Sequence, residues 1–188
     1  MNQWTEADLR TIGYVAIKPW RPPPDFWVDC DIVCSIGSLA DWPDDWHAHW
    51  LHNELWVYDT LDRLERVVPS TDAHAYLRAA LRTLPVQFGA HRDGWSLEWN
   101  VAKANPAPIP EHYVRLGYDV CGRYTQAMLE CSPLSCNGIG EDLGVNRWCL
   151  LDTLQQAIDA TRHFERVGAE PGPYVVLEVW AERLPAAP

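Results

Sequence analysis

Two stretches of the sequence share one pattern. Asn53 to Leu61 runs Asn-Glu-Leu-Trp-Val-Tyr-Asp-Thr-Leu, and Asn146 to Leu154 runs Asn-Arg-Trp-Cys-Leu-Leu-Asp-Thr-Leu. Each runs Asn, three residues, two apolar or aromatic residues and then Asp-Thr-Leu, and leads into a helix-like segment. Asp-Thr before a helical run is N-cap chemistry, in which a side-chain oxygen accepts a free N–H of the first turn. An Asn ahead of it fixes a turn by bonding its side chain to nearby backbone.

Three more anchors fall in the same order in both halves. Ile12-Gly13-Tyr14-Val15 matches Leu116-Gly117-Tyr118-Asp119. Asp29-Cys30 with Cys34 matches Glu130-Cys131 with Cys136. Trp95-Ser96-Leu97-Glu98-Trp99 matches Val176-Leu177-Glu178-Val179-Trp180. One helix covers only one face of a sheet, so two such units bury the remaining apolar surface by packing together. The expected fold is α+β, with two duplicated strand-strand-helix-strand units packed as one pseudo-symmetric body. The first half spans 1–102 with an acidic, Trp-rich insertion, and the second spans 112–188. A connector, 103–111, carries Pro106, Pro108 and Pro110.

Local pattern fills in the elements. Thr5 caps a short N-terminal helix. Strands are expected over 12–17, 26–36, 95–101, 112–121 and 174–180, where β-branched and aromatic residues gather. In the last of these, Glu178 calls for an exposed edge or a paired charge. Helices are expected from Asp41 or Trp42 to Asn53, over 61–67, over 73–84, and from Leu154 to Gly168. The last shows the clearest stripe, Leu154, Ala157, Ile158, Thr161 and Phe164.

Charge narrows the function. The chain of 188 residues has a formal net charge of −11. An acidic surface repels phosphates, so direct nucleic-acid binding is not expected. No apolar run reaches the ~18 residues of a membrane span. No leader pattern is visible, so a cytoplasmic protein with six reduced cysteines is expected. The acid is concentrated. From Asp25 to Asp62 there are nine carboxylates, namely Asp25, Asp29, Asp31, Asp41, Asp44, Asp45, Glu54, Asp59 and Asp62, and no Lys or Arg. The same stretch holds Trp27, Trp42, Trp46, Trp50 and Trp56. Tryptophan anchors many interfaces, and surrounding carboxylates steer a basic partner.

The preferred function is therefore a non-catalytic protein that presents an acidic, Trp-rich surface to a basic protein, in the manner of an inhibitor or immunity protein. Asp41, Trp42, Asp44, Asp45, Trp46 and Trp50 are the candidate contact residues, and no cofactor is expected. A second class is a metal- or thiol-dependent enzyme with a site between the two units. Asp45, His49 and His52 share one face of a helix at spacings that suit zinc, and Cys136 lies in a glycine-rich loop where a thiol can act as nucleophile. The zinc deaminase pattern is excluded. His52-Asn53-Glu54 has its first part, but Cys131-Ser132-Pro133-Leu134-Ser135-Cys136 has the wrong spacing and places its proline between the cysteines.

Overall fold

The computed structural model describes residues 4–36, 51–53, 55–68, 76–89, 99–123, 129, 131–136, 138–169 and 172–182. Strands β1 (Arg10–Ile17), β2 (Leu77–Thr83), β3 (Val114–Gly122) and β4 (Tyr174–Ala181) form one antiparallel sheet in the order β1-β2-β4-β3. Helices α1 (Leu61–Glu65), α2 (Pro133–Cys136) and α3 (Leu154–Val167) complete a mixed α+β fold. The central pair joins β2 to β4, one strand from each half of the sequence, with Leu81 opposite Val179.

Both faces of the sheet are covered, which is why its strands are nearly continuous apolar runs. On one face, Tyr14, Ala16 and Ala80 pack against Leu64 of α1, while Tyr118, Val120 and Val176 pack against Ile158 and Phe164 of α3. On the other, Ile12, Val15, Leu81, Leu116, Val175 and Leu177 meet irregular chain carrying Cys34, Ile36, Val57, Trp99 and Leu150. Helix α3 starts at Thr153 with a capping box and stops at Gly168, whose φ of 66° supplies the left-handed C-cap. Thr60 caps α1 by accepting from the Arg63 N–H.

The two Asn segments make matching bonds. Asn53 Nδ2 donates to the Ile12 carbonyl and to Asp59 Oδ1, and its Oδ1 accepts from the N–H of Leu55 and of Val57. Asn146 Nδ2 donates to the Leu116 carbonyl and to Asp152 Oδ1, and its Oδ1 accepts from the N–H of Trp148 and of Leu150. Among the described residues each loop contains one non-glycine residue at positive φ, Trp56 at 62° and Cys149 at 58°. Each then bridges the outer side of an edge strand, Tyr58 to Tyr14 and Leu151 to Tyr118. Gly13 and Gly117 permit that approach. A Cβ there would lie 2.6 Å from the Tyr58 carbonyl oxygen and 2.7 Å from that of Leu151.

Three expectations are corrected. The helix over 73–84 is instead strand β2 from Leu77. Leu-Arg-Ala-Ala-Leu-Arg-Thr has good helix propensity, but pairing with β1 and β4 on both sides overrides it. The strand over 26–36 is irregular, with a single bridge between Trp20 and Val33. Its backbone bonds go elsewhere: the Asp31 and Ile32 N–H groups donate to the Arg147 carbonyl and the Cys34 N–H to that of Trp148. Finally, the strand expected over 95–101 is not continued in the part of it that is described, since Trp99 and Asn100 are in no strand. Residues 95–98 lie outside the described residues, and Val101–Lys103 is a 3-10 turn capped by Asn100.

Candidate partner-binding surface

The irregular segment before Ile36 puts aromatic rings on the outside. Trp20 is 37% and Trp27 43% exposed, and Phe26 lies between them. The Trp20 and Phe26 centroids are 5.2 Å apart edge to face, and those of Phe26 and Trp27 are 4.5 Å apart. The Phe26 N–H donates to the Pro23 carbonyl, a turn that folds Phe26 back among its neighbours. Trp27 also covers Gly138, 3.6 Å from where a Cβ would stand. Asp25, Asp29 and Asp31 are exposed in the same segment. Asp31 pairs with Arg147 at 3.0 Å, and the Arg147 guanidinium lies 4.7 Å over the Trp148 ring.

The other contact residues expected from sequence, Asp41, Trp42, Asp44, Asp45, Trp46 and Trp50, lie outside the described residues, as do His47 and His49. His52 is described. Its ring stacks on Trp56 at 4.3 Å and meets Tyr58 edge-on at 6.3 Å, while Nδ1 lies 3.1 Å from the Asn53 carbonyl oxygen. These contacts hold the first Asn loop. Among the described residues no three His, Cys, Asp or Glu side chains cluster as metal ligands do.

The cysteines correct a further expectation. Cys131 and Cys136 form a disulfide, and Cys30, Cys34, Cys121 and Cys149 are free. The Ser132 carbonyl accepts from the Ser135 and Cys136 N–H groups, so the turn of α2 folds Cys136 back over Cys131 with Cα atoms 6.4 Å apart. A bonded sulfur cannot be the nucleophile that the thiol-enzyme reading assigned to Cys136. Burial pushes the Cys34 thiol up to about 12 and raises Cys121 and Cys149 as well, which makes them unreactive.

Two polar networks were not visible in the sequence. Glu178, fully buried on β4, accepts from Arg82 Nη1 at 2.8 Å and from Trp180 Nε1 at 2.8 Å. The Tyr118 hydroxyl stands between Glu178 Oε1 at 3.0 Å and Glu6 Oε1 at 2.9 Å, and Arg115 also reaches Glu6. The paired-charge alternative for Glu178 is the one observed. Beside this network, Arg82, Trp180, Tyr113, Pro108, Ile109 and Pro110 line an open pocket of about 420 Å³. On the opposite sheet face Asp119 is fully buried. It accepts from Ser132 Oγ and from the Ile36 and Val120 N–H groups. Burial pushes its carboxyl above the ordinary aspartate range, and those donors pull part of the way back. The only sequence hint of either network was an acid inside a run of β-forming residues.

Among the described residues no helix is long and apolar enough to cross a membrane. Comparison with known protein families, with curated proteins and with solved structures returns no match.

Proposed function

We propose that this chain is a non-catalytic binding protein that holds a basic protein partner through its acidic, aromatic surface, as an inhibitor or immunity-type protein does. The observation that carries the reading is the pair of exposed rings Trp20 and Trp27, joined by the half-buried Phe26, beside Asp25, Asp29 and Asp31. Contiguous exposed aromatic surface marks contact sites, and Trp is enriched among interface anchors. Carboxylates beside them favour Lys and Arg on the partner and speed encounter. Asp41, Trp42, Asp44, Asp45, Trp46 and Trp50, which lie outside the described residues, are assigned to the same contact on the sequence alone.

The scaffold in this proposal is a duplication, with units over 1–102 and 112–188 and the Pro-rich 103–111 between them. Its support is the matched bonding of Asn53 and Asn146, the paired glycines Gly13 and Gly117, and the equivalent caps Thr60 and Thr153. Compartment is linked to one bond. A cytoplasmic chain keeps Cys131 and Cys136 as thiols, because cytosolic glutathione reduces such pairs, whereas an exported chain keeps the disulfide.

The test is parallel capture from the native cell by the native protein and by two variants, Trp27→Ala and Asp44→Lys with Asp45→Lys. A basic protein held by the native chain and lost from both variants supports the reading. Identical sets on all three remove this surface from it.

A further inference from the structure

Among the described residues the buried charged side chains are paired with one exception. Asp119 accepts from Ser132 Oγ, Cys121 Sγ and the Ile36 and Val120 N–H groups, and Glu178 has an arginine, a tyrosine and a tryptophan. Arg63, Arg82, Arg115, Arg147 and Arg162 each reach a carboxylate. Arg123 is 2% exposed, yet its Nε and Nη1 have no hydrogen-bond partner.

Its position is well held. Arg123 follows the last residue of β3, and its backbone N–H donates to the Pro173 carbonyl at 2.8 Å. The guanidinium lies 4.5 Å over the Trp99 ring. Trp99 is itself fixed, because its Nε1 donates to the Leu84 carbonyl at 3.0 Å. Burial lowers the Arg123 pKa to about 10, so the group keeps its charge at neutral pH. An indole face recovers part of the hydration that a buried cation loses. The unbonded N–H groups remain costly, and a buried charge is normally held by a counter-charge.

We propose that Arg123 and Trp99 form a binding site for a small oxyanion, the carboxylate or phosphate group of a low-molecular-weight ligand. Both groups match the planar N–H pattern of a guanidinium. The net charge of −11 opposes the approach of a large acidic macromolecule, which favours a small anion. The site does not depend on the aromatic surface proposed above.

The test is thermal melting of the full chain in inorganic phosphate and, separately, in acetate, with chloride at matched ionic strength. The native protein melts higher as one or both anions increase, and Arg123→Met does not respond. A response to acetate alone assigns a carboxylate ligand, and a response to phosphate alone assigns a phosphate. In chloride, Arg123→Met melts no lower than the native chain, because an unpaired buried cation has been removed. If that variant fails to fold, Arg123→Lys carries the test. It keeps the charge without the fork and binds the anion at least tenfold more weakly. A native protein indifferent to both anions overturns the site, as does a variant that binds as tightly as the native chain.

Discussion

Gly13 and Gly117 are the residues on which the edges of the sheet depend. Each has a φ near 150°, 145° and 150° respectively, and each faces a carbonyl of the Asn loop that closes its strand. A methyl group at either place collides with backbone, which cannot move as a side chain tip can. Gly13→Ala and Gly117→Ala are each expected to cost about 2 kcal/mol in chemical denaturation, as overpacked sites do. Asp119 gives a pH signature. Burial raises its folded pKa above the unfolded value of about 3.9, so the folded state holds the proton more tightly. Its contribution is greatest in acid and is lost as pH rises from about 4 through the raised value. The stability of the native protein relative to Asp119→Asn therefore falls over that window. A difference that is flat, or that rises with pH, would contradict the burial argument.

At the scale of elements, the helix caps and the Asn loops were legible because they are local. Thr153 and Gly168 lie next to α3, and the Asn-to-Asp-Thr-Leu pattern spans nine residues. Thr153→Ala is expected to cost about 1 kcal/mol in thermal or urea unfolding, the ordinary worth of an N-cap. What was not legible depends on partners far away in sequence. Strand β2 resembles a helix until β1 and β4 are placed beside it. The segment over 26–36 alternates as a strand does, yet it docks on the Arg147 and Trp148 carbonyls. Arg123 and Trp99 meet across 24 residues of chain, a separation at which neither residue type predicts the other. Of the candidate surface, the sequence indicated the acid and the tryptophans of 25–62, and it missed Trp20, which Phe26 brings in from outside that stretch.

At the scale of the molecule, the halves interlock. The central strand pair takes one member from each. Leu9, just before β1, is buried with Tyr118 and Phe164 against α3, while Tyr113, just before β3, is buried with Tyr14, Tyr58 and Leu64 by α1. Each lead-in thus packs under the other half's helix. Residues 1–102 or 112–188 expressed alone are expected to show no cooperative thermal transition by circular dichroism. Either fragment melting cooperatively by itself would show that the units are independent.

Binding of a basic protein by the acidic, aromatic face, as proposed above, would depend on salt. Screening shortens to about 8 Å at physiological ionic strength, so attraction between exposed charges weakens as salt is added. The direct measurement is the affinity of the captured partner for the native protein and for Asp25→Lys with Asp29→Lys, each at low and high salt. Surface substitutions of this kind change stability by only about 0.5 kcal/mol, so the variant remains folded. The native chain is expected to bind tightly at low salt and at least tenfold more weakly at high salt, and the variant to lose that salt dependence together with most of the affinity. Equal affinity of both proteins at both salt concentrations would contradict the proposal.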